Sequence, residues 1–428
     1  MPKKPKAFSL SSDPSGRPTH KDDFMTSLHI KDEASPPRHK TWAEINLSAL
    51  RHNYRLLSDY IAAKSPDCRM ICVVKADAYG HGADACVRTL YSCGARHFAV
   101  SCIDEALDVC SALSELRTDS FSLLILGYTL PQDVDKLIKY EITQTVYSYE
   151  YAKALSENLV RLAQKGKITK DERLKIHIKL DTGMNRLGFS ASKKTKEKTL
   201  DKICKTASLP HIQAEGIFTH FACSDQPENP MTEEQFGSYE GFVHALADRG
   251  VRFEQHHVCN SAAALAFPSL HLDFVRVGLL LYGLMPTDLI KNPGVIPVMT
   301  FKTTVSHIHD LHKGDTVSYG AIFTAERNIR VATLSAGYAD GYIRAFAKGG
   351  GVLIDGHFAP IVGRICMDQC VADVTGINVS VGDTAIIFDN QAINTERLAK
   401  VAETINYELV CLVGKRVPRI IIDKKDTF

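Results

Sequence analysis

From Trp42 to about Met285 the chain alternates short apolar runs with amphipathic segments, and this alternation restricts the fold more than any other feature. "RMICVVKA", "HFAVSC", "SLLILGY", "KIHIKLDTG", "AEGIFTHFA" and "FEQHHVCNS" have the length and apolar content of strands. Between them, Asp104–Leu116, Gln132–Lys139, Tyr149–Gln164 and Met231–Arg249 suit amphipathic helices. A βα repeat of this length argues for a parallel sheet covered on both faces, and the number of units favours a closed eight-stranded (β/α)8 barrel over an open sheet. In such a barrel the chemistry sits at the C-terminal ends of the strands. Lys75, Lys179, His220, Asn260 and Arg276 all fall at or just after a strand end.

Beyond Pro286 the texture changes to short β-type runs broken by Gly and Asp, as in "KTTVSHIHDLHKGDTVSYG" and "GVLIDGHFAPIVGRICMDQCVADVT". Such spacing predicts a mainly-β domain. The expected organisation is a barrel over residues 41–290 and a β domain over 291–428. Residues 1–40 are rich in Pro, Ser, Lys and Asp with little apolar periodicity, and read as a disordered extension. Met25 inside it is an alternative start, and acidic residues there weaken an organelle-targeting reading.

The 51 Lys and Arg nearly cancel the 49 Asp and Glu, and no basic stripe is interleaved with aromatics. There is therefore no electrostatic case for nucleic acid or an anionic membrane, and a small molecule is the expected partner. No apolar run reaches the roughly 18 residues of a membrane span. The 12 cysteines lack paired ligand spacing and a secretory signal, which fits free thiols in a reducing cytoplasm.

Lys75 in "VVKADAYGHG" ends an apolar run, where a desolvated amine can condense with an aldehyde cofactor such as pyridoxal phosphate. A lysine reaching past the strand to water is the simpler alternative. Asn260, Ser261 and Gly278 supply small or hydrogen-bonding groups beside strand ends, suited to a phosphate cradle or to ordinary turns. Arg276 lies within the apolar "DFVRVGLLLYG" and needs a buried acceptor, in an ion pair or on a cofactor ring. Lys179, Asp181 and Arg186 in "KLDTGMNRLG" could recognise a carboxylate or form a solvated loop. His220 in "FTHFA" could stack on a flat cofactor or pack. In the β domain, Tyr319, Tyr338 and Tyr342 are candidate bases only where positive charge stabilises a phenolate. Met367 and Asp368 in "GRICMDQ" follow a strand, where the Met367 N–H could bind a carboxylate.

With "VVKADAYGHG", "DTGMNRLGF", "SYGA", "GYADGY" and "GRICMDQ" in this order, the sequence resembles the alanine racemase family from "WAEINLSALRHN" to "KRVPR". The resemblance implies a pyridoxal 5'-phosphate enzyme, an N-terminal barrel and C-terminal β domain, and interconversion of L-alanine and D-alanine by two bases. On that basis Lys75 would hold the cofactor and act as one base, and Tyr319 would be the other. Tyr79, Ser261, Gly278, Leu279 and Tyr407 match phosphate-site positions, with Tyr407 also limiting the substrate pocket. Arg276 matches the residue facing the pyridine nitrogen, with His220 in its network and Asn260 beside the cofactor. Arg186 and Met367 would contact the substrate carboxylate, with Lys179, Tyr338 and Asp368 in support. Lys179 matches a lysine carbamylated in some members.

The family arrangement implies a cytoplasmic homodimer with shared sites that supplies D-alanine for peptidoglycan. No metal is implied: His307, His309, His312 and His357 make no His-x-Cys or His-x-Asp pair. A serine or broad-specificity racemase is the nearest alternative, opposed by the bulk of Tyr407. A non-catalytic barrel that only carries the cofactor would lack Tyr319 and the β domain.

Overall fold

The computed structural model describes residues 39–116, 120–389 and 392–423. The extension expected over residues 1–40 lies outside the described residues except for His39 and Lys40. In chain order the strands are β1 (Thr41–Asn46), β2 (Arg69–Val73), β3 (His97–Val100), β4 (Ser122–Ile125), β5 (Thr143–Val146), β6 (Leu174–Asp181), β7 (Phe189–Ser190), β8 (Ile212–Phe218), β9 (Gln255–His257) and β10 (Phe274–Val277). The second half adds β11 (Met299–Leu311), β12 (Thr316–Val317), β13 (Phe323–Thr324), β14 (Ile329–Leu334), β15 (Gly351–Ile354), β16 (His357–Val362), β17 (Cys370–Asp373), β18 (Thr384–Phe388) and β19 (Arg419–Ile422).

Eight parallel strands run in the order β10-β2-β3-β4-β5-β6-β8-β9, with β7 attached to β6. The ends of this order meet where the Arg276 N–H, on β10, donates to the Cys259 carbonyl just past β9 at 3.0 Å. This is the (β/α)8 barrel expected from the alternation. Strands such as "RMICV" are buried through their last four residues because the barrel interior lies on one side and helices lie on the other. Inside, Ile71, Val73, Ala99, Leu124 and Phe274 form an apolar plug. Outside, helices such as Leu47–Lys64 and Tyr149–Gln164 lay buried Leu50, Leu57, Leu155 and Leu159 against the strands.

The C-terminal sheet runs β14-β17-β16-β15-β18-β11-β1-β19, and β14 also pairs with β11, so six of its strands close on themselves. The 13-residue β11 serves both neighbours by shifting register between Val305 and His307. One expectation is corrected here. Residues from 41 onward were assigned to the barrel, yet β1 pairs antiparallel with β11, Thr41 opposite Thr303, and parallel with β19. Its six residues are as apolar as a barrel strand, but their hydrogen-bond partners lie in the β domain.

The junction is fastened by Asn53, which is fully buried in the helix Leu47–Lys64. Its amide donates to the carbonyls of Leu281 (2.9 Å) and Ile296 (2.8 Å), and its oxygen accepts from the Ile296 N–H (2.8 Å). The chain leaving the barrel is thereby pinned to the first helix.

Candidate active site

Lys75 stands two residues past β2, at the C-terminal end of the barrel. The Val74 N–H extends the ladder to the Ala99 carbonyl at 2.9 Å. Glu105 then accepts from the Ala76 N–H (2.8 Å) and the Ser101 N–H (2.7 Å), so one carboxylate ties together the loops after β2 and β3. Ala76 to Tyr79 are left-handed, with φ from 52° to 54°. No glycine relieves this turn, and each such residue costs about 1–2 kcal/mol. Specific partners hold it. His81 Nδ1–H donates to the carbonyls of Ala78 and Tyr79, both at 2.9 Å. The Ala83 N–H donates to Asp77 Oδ1 (2.6 Å), and Arg419 Nε–H donates to the Gly80 carbonyl (2.9 Å). Burial pushes the His81 imidazole down to about 4, so the ring is neutral. The turn sets the Tyr79 hydroxyl beside Gly278, where an added Cβ would lie 2.4 Å from it. Only glycine fits that position without displacing the tyrosine.

Strand β6 follows a period of two. Ile176, Ile178 and Leu180 are fully buried on one face, while Lys175, His177, Lys179 and Asp181 share the other. That polar face meets Arg276 across the barrel interior. Both terminal nitrogens of Arg276 are engaged: Nη1 donates to the His257 carbonyl (3.0 Å) and His257 Nδ1 (2.8 Å). Nη2 donates to the carbonyls of Thr219 (2.9 Å) and Val258 (3.1 Å) and lies 3.3 Å from His220 Nδ1. The Nε–H is the donor left outside these bonds. Arg276 therefore satisfies its charge on carbonyls and neutral imidazoles, with no carboxylate partner among the described residues.

These groups border a cavity of about 630 Å³ lined by Lys75, Tyr79, Lys179, Arg186, His220, Asn260, Ser261, Arg276, Gly278, Leu279 and Tyr407. Eleven of the residues singled out in the sequence are thus brought together. Among the described residues four cations border the cavity, and Asp225 is the one carboxylate of its lining. Burial and then the Arg186 charge lower the Lys75 pKa. The same two causes, with Arg276, bring Lys179 down to about 8. Burial and then Arg276 hold His220 well below the usual imidazole range. The surplus of positive charge suits an anionic ligand, and the lowered lysines hold their amines closer to the nucleophilic, unprotonated form. Asn260 has a partly structural part: its side-chain oxygen caps the helix Ser261–Ala266 through the Ala263 N–H (3.0 Å) and accepts from Ser224 Oγ (2.9 Å).

Tyr319, Met367 and Asp368 lie elsewhere in the chain, around a separate cavity of about 440 Å³ in the β domain. The two linings share no residue. Tyr319 is 73% exposed. Asp368 pairs with Arg416 at 2.6 Å, and Arg416 also holds the buried Asp340 at 2.7 Å. Tyr338 lines neither cavity, and its N–H donates to the Cys366 carbonyl behind the second one (3.0 Å).

Sequence reasoning passed over Asp225, Met184 and the pair His177 and His257. The alternation in "KIHIKLD" was the available signal for His177, since it shares parity with Lys179. Pyridoxal phosphate fits these residues: an amine at Lys75, a cation-rich cavity, a glycine-bordered recess where Ser261 Oγ accepts from the Gly278 N–H (3.0 Å), and an unengaged Arg276 Nε–H. All 12 cysteines are free thiols, and no helix among the described residues is long and apolar enough to cross a membrane.

Comparison with known proteins agrees. Residues 45–286 match the model of the alanine racemase N-terminal domain and residues 298–421 that of the C-terminal domain. An alanine racemase of Clostridium tetani is 41% identical over 391 residues, spanning 89% of this chain and 95% of that protein. One from Methanococcus maripaludis is 39% identical over 392 residues, spanning 90% and 99%. The solved alanine racemase of Clostridium difficile 630 superposes with a TM-score of 0.82 at 34% identity, covering 92% of this chain and 98% of that one. With a barrel, a β domain and a cation-lined cavity around Lys75 all in place, the chain belongs to the alanine racemase family, the pyridoxal phosphate-dependent enzymes that interconvert L-alanine and D-alanine.

Proposed function

We propose that racemisation by this protein takes place in sites completed by a second copy of the chain, with Lys75 of one protomer facing Tyr319 of the other. The observation that carries this reading is the separation of the two candidate bases: Lys75 lines one cavity, and Tyr319 is exposed at another. Inversion at a carbon needs a proton removed from one face and one delivered to the other. A closed homodimer of C2 symmetry would make two equivalent sites from one kind of contact.

Pyridoxal phosphate, when bound, supplies an aldehyde that joins the substrate amine and a conjugated ring that takes up the electron pair left by the departing α-proton. The protein's own residues do the rest. Lys75, its proton affinity weakened by burial and by Arg186, moves a proton on one face. Tyr319 moves one on the other. Arg276, its Nη donors occupied, would offer its Nε–H to the cofactor ring, and as a cation it would oppose ring protonation and so limit side reactions. Tyr79, Ser261, Gly278, Leu279 and Tyr407 hold the phosphate end, with Asn260 shaping the helix cap beside it. Arg186 and Met367 hold the substrate carboxylate, supported by Lys179, Tyr338 and Asp368. His220, kept neutral beside Arg276, accepts at Nδ1 and so offers an Nε2–H toward the second base. We place the enzyme in the cytoplasm, supplying D-alanine for peptidoglycan.

Subunit exchange tests the shared site. Lys75→Ala and Tyr319→Ala homodimers should each be nearly inactive. Mixed at random, about half the dimers carry one of each chain, and each has one site with both bases and one with neither. Activity per chain should recover to about a quarter of wild type. No recovery, with exchange confirmed by mass tagging, would place both bases in one chain.

A further inference from the structure

The polar half of the barrel interior continues past Arg276 toward the opposite end of the barrel. An arginine side chain can only donate. The 2.8 Å contact from Arg276 Nη1 therefore requires His257 Nδ1 to be bare, and His257 carries its proton on Nε2. That Nε2 lies 2.8 Å from His177 Nδ1, which must accept, so His177 carries its own proton on Nε2. His177 Nε2 in turn lies 3.8 Å from Glu215 Oε2, and Glu215 is held by Lys175 at 3.2 Å. A permanent donor at one end and a carboxylate at the other leave one proton arrangement for the two rings between them. The site is shaped for an imidazole: a Cβ on Gly216 of β8 would lie 2.7–2.8 Å from three atoms of the His177 ring. His177, His257 and Arg276 are at most 3% exposed, so water does not offer substitute partners.

We propose that His177, backed by Glu215, is a positioning residue that acts through His257 on Arg276. By holding the His257 proton on Nε2, it keeps Nδ1 open as an acceptor for the guanidinium. In the opposite tautomer the His257 Nδ1–H would meet an Arg276 N–H head on. The guanidinium would then leave the plane set by the carbonyls of His257, Thr219 and Val258. Burial and the Arg276 charge, which hold His257 neutral, agree with this arrangement. The proposal rests on Arg276 facing the cofactor, as read above, although the order of protons does not.

Nitrogen-15 NMR of the holoenzyme labelled at histidine reads the tautomers without any variant. His257 and His177 should both be neutral with the proton on Nε2. A proton on Nδ1 of His257, or a doubly protonated ring at either position, overturns the proposal. His177→Asn keeps an acceptor in place of Nδ1, whereas His177→Leu leaves the His257 N–H unpaired. The Leu variant should lose about tenfold in kcat with KM changed less than about twofold, and the Asn variant should recover most of it. Equal kcat in the two variants, or an unchanged His257 signal in the Leu variant, refutes it. Arg276→Ala separates the two readings. An unimpaired Arg276→Ala enzyme removes the role of Arg276, whereas an impaired one beside a normal His177→Leu enzyme removes only the positioning role of His177.

Discussion

Replacing Lys179 by Met should stabilise the protein at neutral pH by an amount that vanishes in alkali. Lys179 is 6% exposed, and its pKa falls from 10.5 to about 8 through burial and the charges of Arg186 and Arg276. A lysine with a lowered folded pKa binds its proton less tightly in the folded than in the unfolded chain, so stability rises with pH between the two values. The penalty is whole below pH 8, fades from 8 to 10.5, and is gone above. At pH 7.5 a difference of this size corresponds to about 3 kcal/mol, and at pH 10.5 to less than about 1 kcal/mol. Methionine keeps the stem packed and removes the charge. Urea unfolding of wild type and Lys179→Met at equal protein and cofactor concentration, at pH 7.5 and 10.5, measures the two differences. A gain that is the same at both pH values refutes the reasoning. A Lys179→Met protein less stable than wild type at pH 7.5 does so too, and that sign is the one expected if the amine carries a carbamate that pairs with Arg186.

Tyr407→Asn should raise kcat/KM for serine relative to alanine, because removing a ring at the cavity wall opens space and leaves a polar partner for a hydroxyl; an unchanged ratio would remove Tyr407 from its role in selectivity. Asn53→Ala should cost about 2–4 kcal/mol, since it leaves the Leu281 carbonyl and both backbone groups of Ile296 without their buried partner. A change in unfolding free energy within about 0.5 kcal/mol would show that the junction repacks freely.

The barrel was legible because short apolar runs, six of them recognisable as strands, recur with helical segments between them, and Lys75, Lys179 and Arg276 were legible because charge inside an apolar run demands a reason. The backbone around Lys75 was not. Ala76 and Ala78 are good helix formers, and the glycines that follow at 80 and 82 do not announce a positive φ at the four residues before them; the left-handed turn is held by the Asp77 side chain within it and by His81 and Arg419 beyond it. Placing β1 was equally beyond local reasoning. "TWAEIN" has the pattern of a barrel strand, and nothing within six residues states that its partners begin at Met299. Gathering Lys75 and Arg276 in one cavity followed from the fold class. The separation of Tyr319 from them was visible only once both domains had been placed.

The pairing of β1 with β11 bears on how the chain is made. Thr41 and Thr303 are 262 residues apart. At synthesis rates of about 5–20 residues per second, β1 waits roughly 10 to 50 s for its antiparallel partner and longer for β19. The barrel strands β2 to β10 emerge within that interval and can close without it. Topologically the barrel is an insertion between the first described strand of the β domain and the rest of it, so the last domain to fold holds the first described strand of the chain. A released chain ending after Tyr282 would hold all eight barrel strands preceded by one unpaired apolar strand, a segment with the character of an aggregation template. Trimming the start of the chain through Asn46 would leave the hydrogen bonds among the barrel strands intact, take the Asn46 cap from the helix Leu47–Lys64, and damage the far end of the protein.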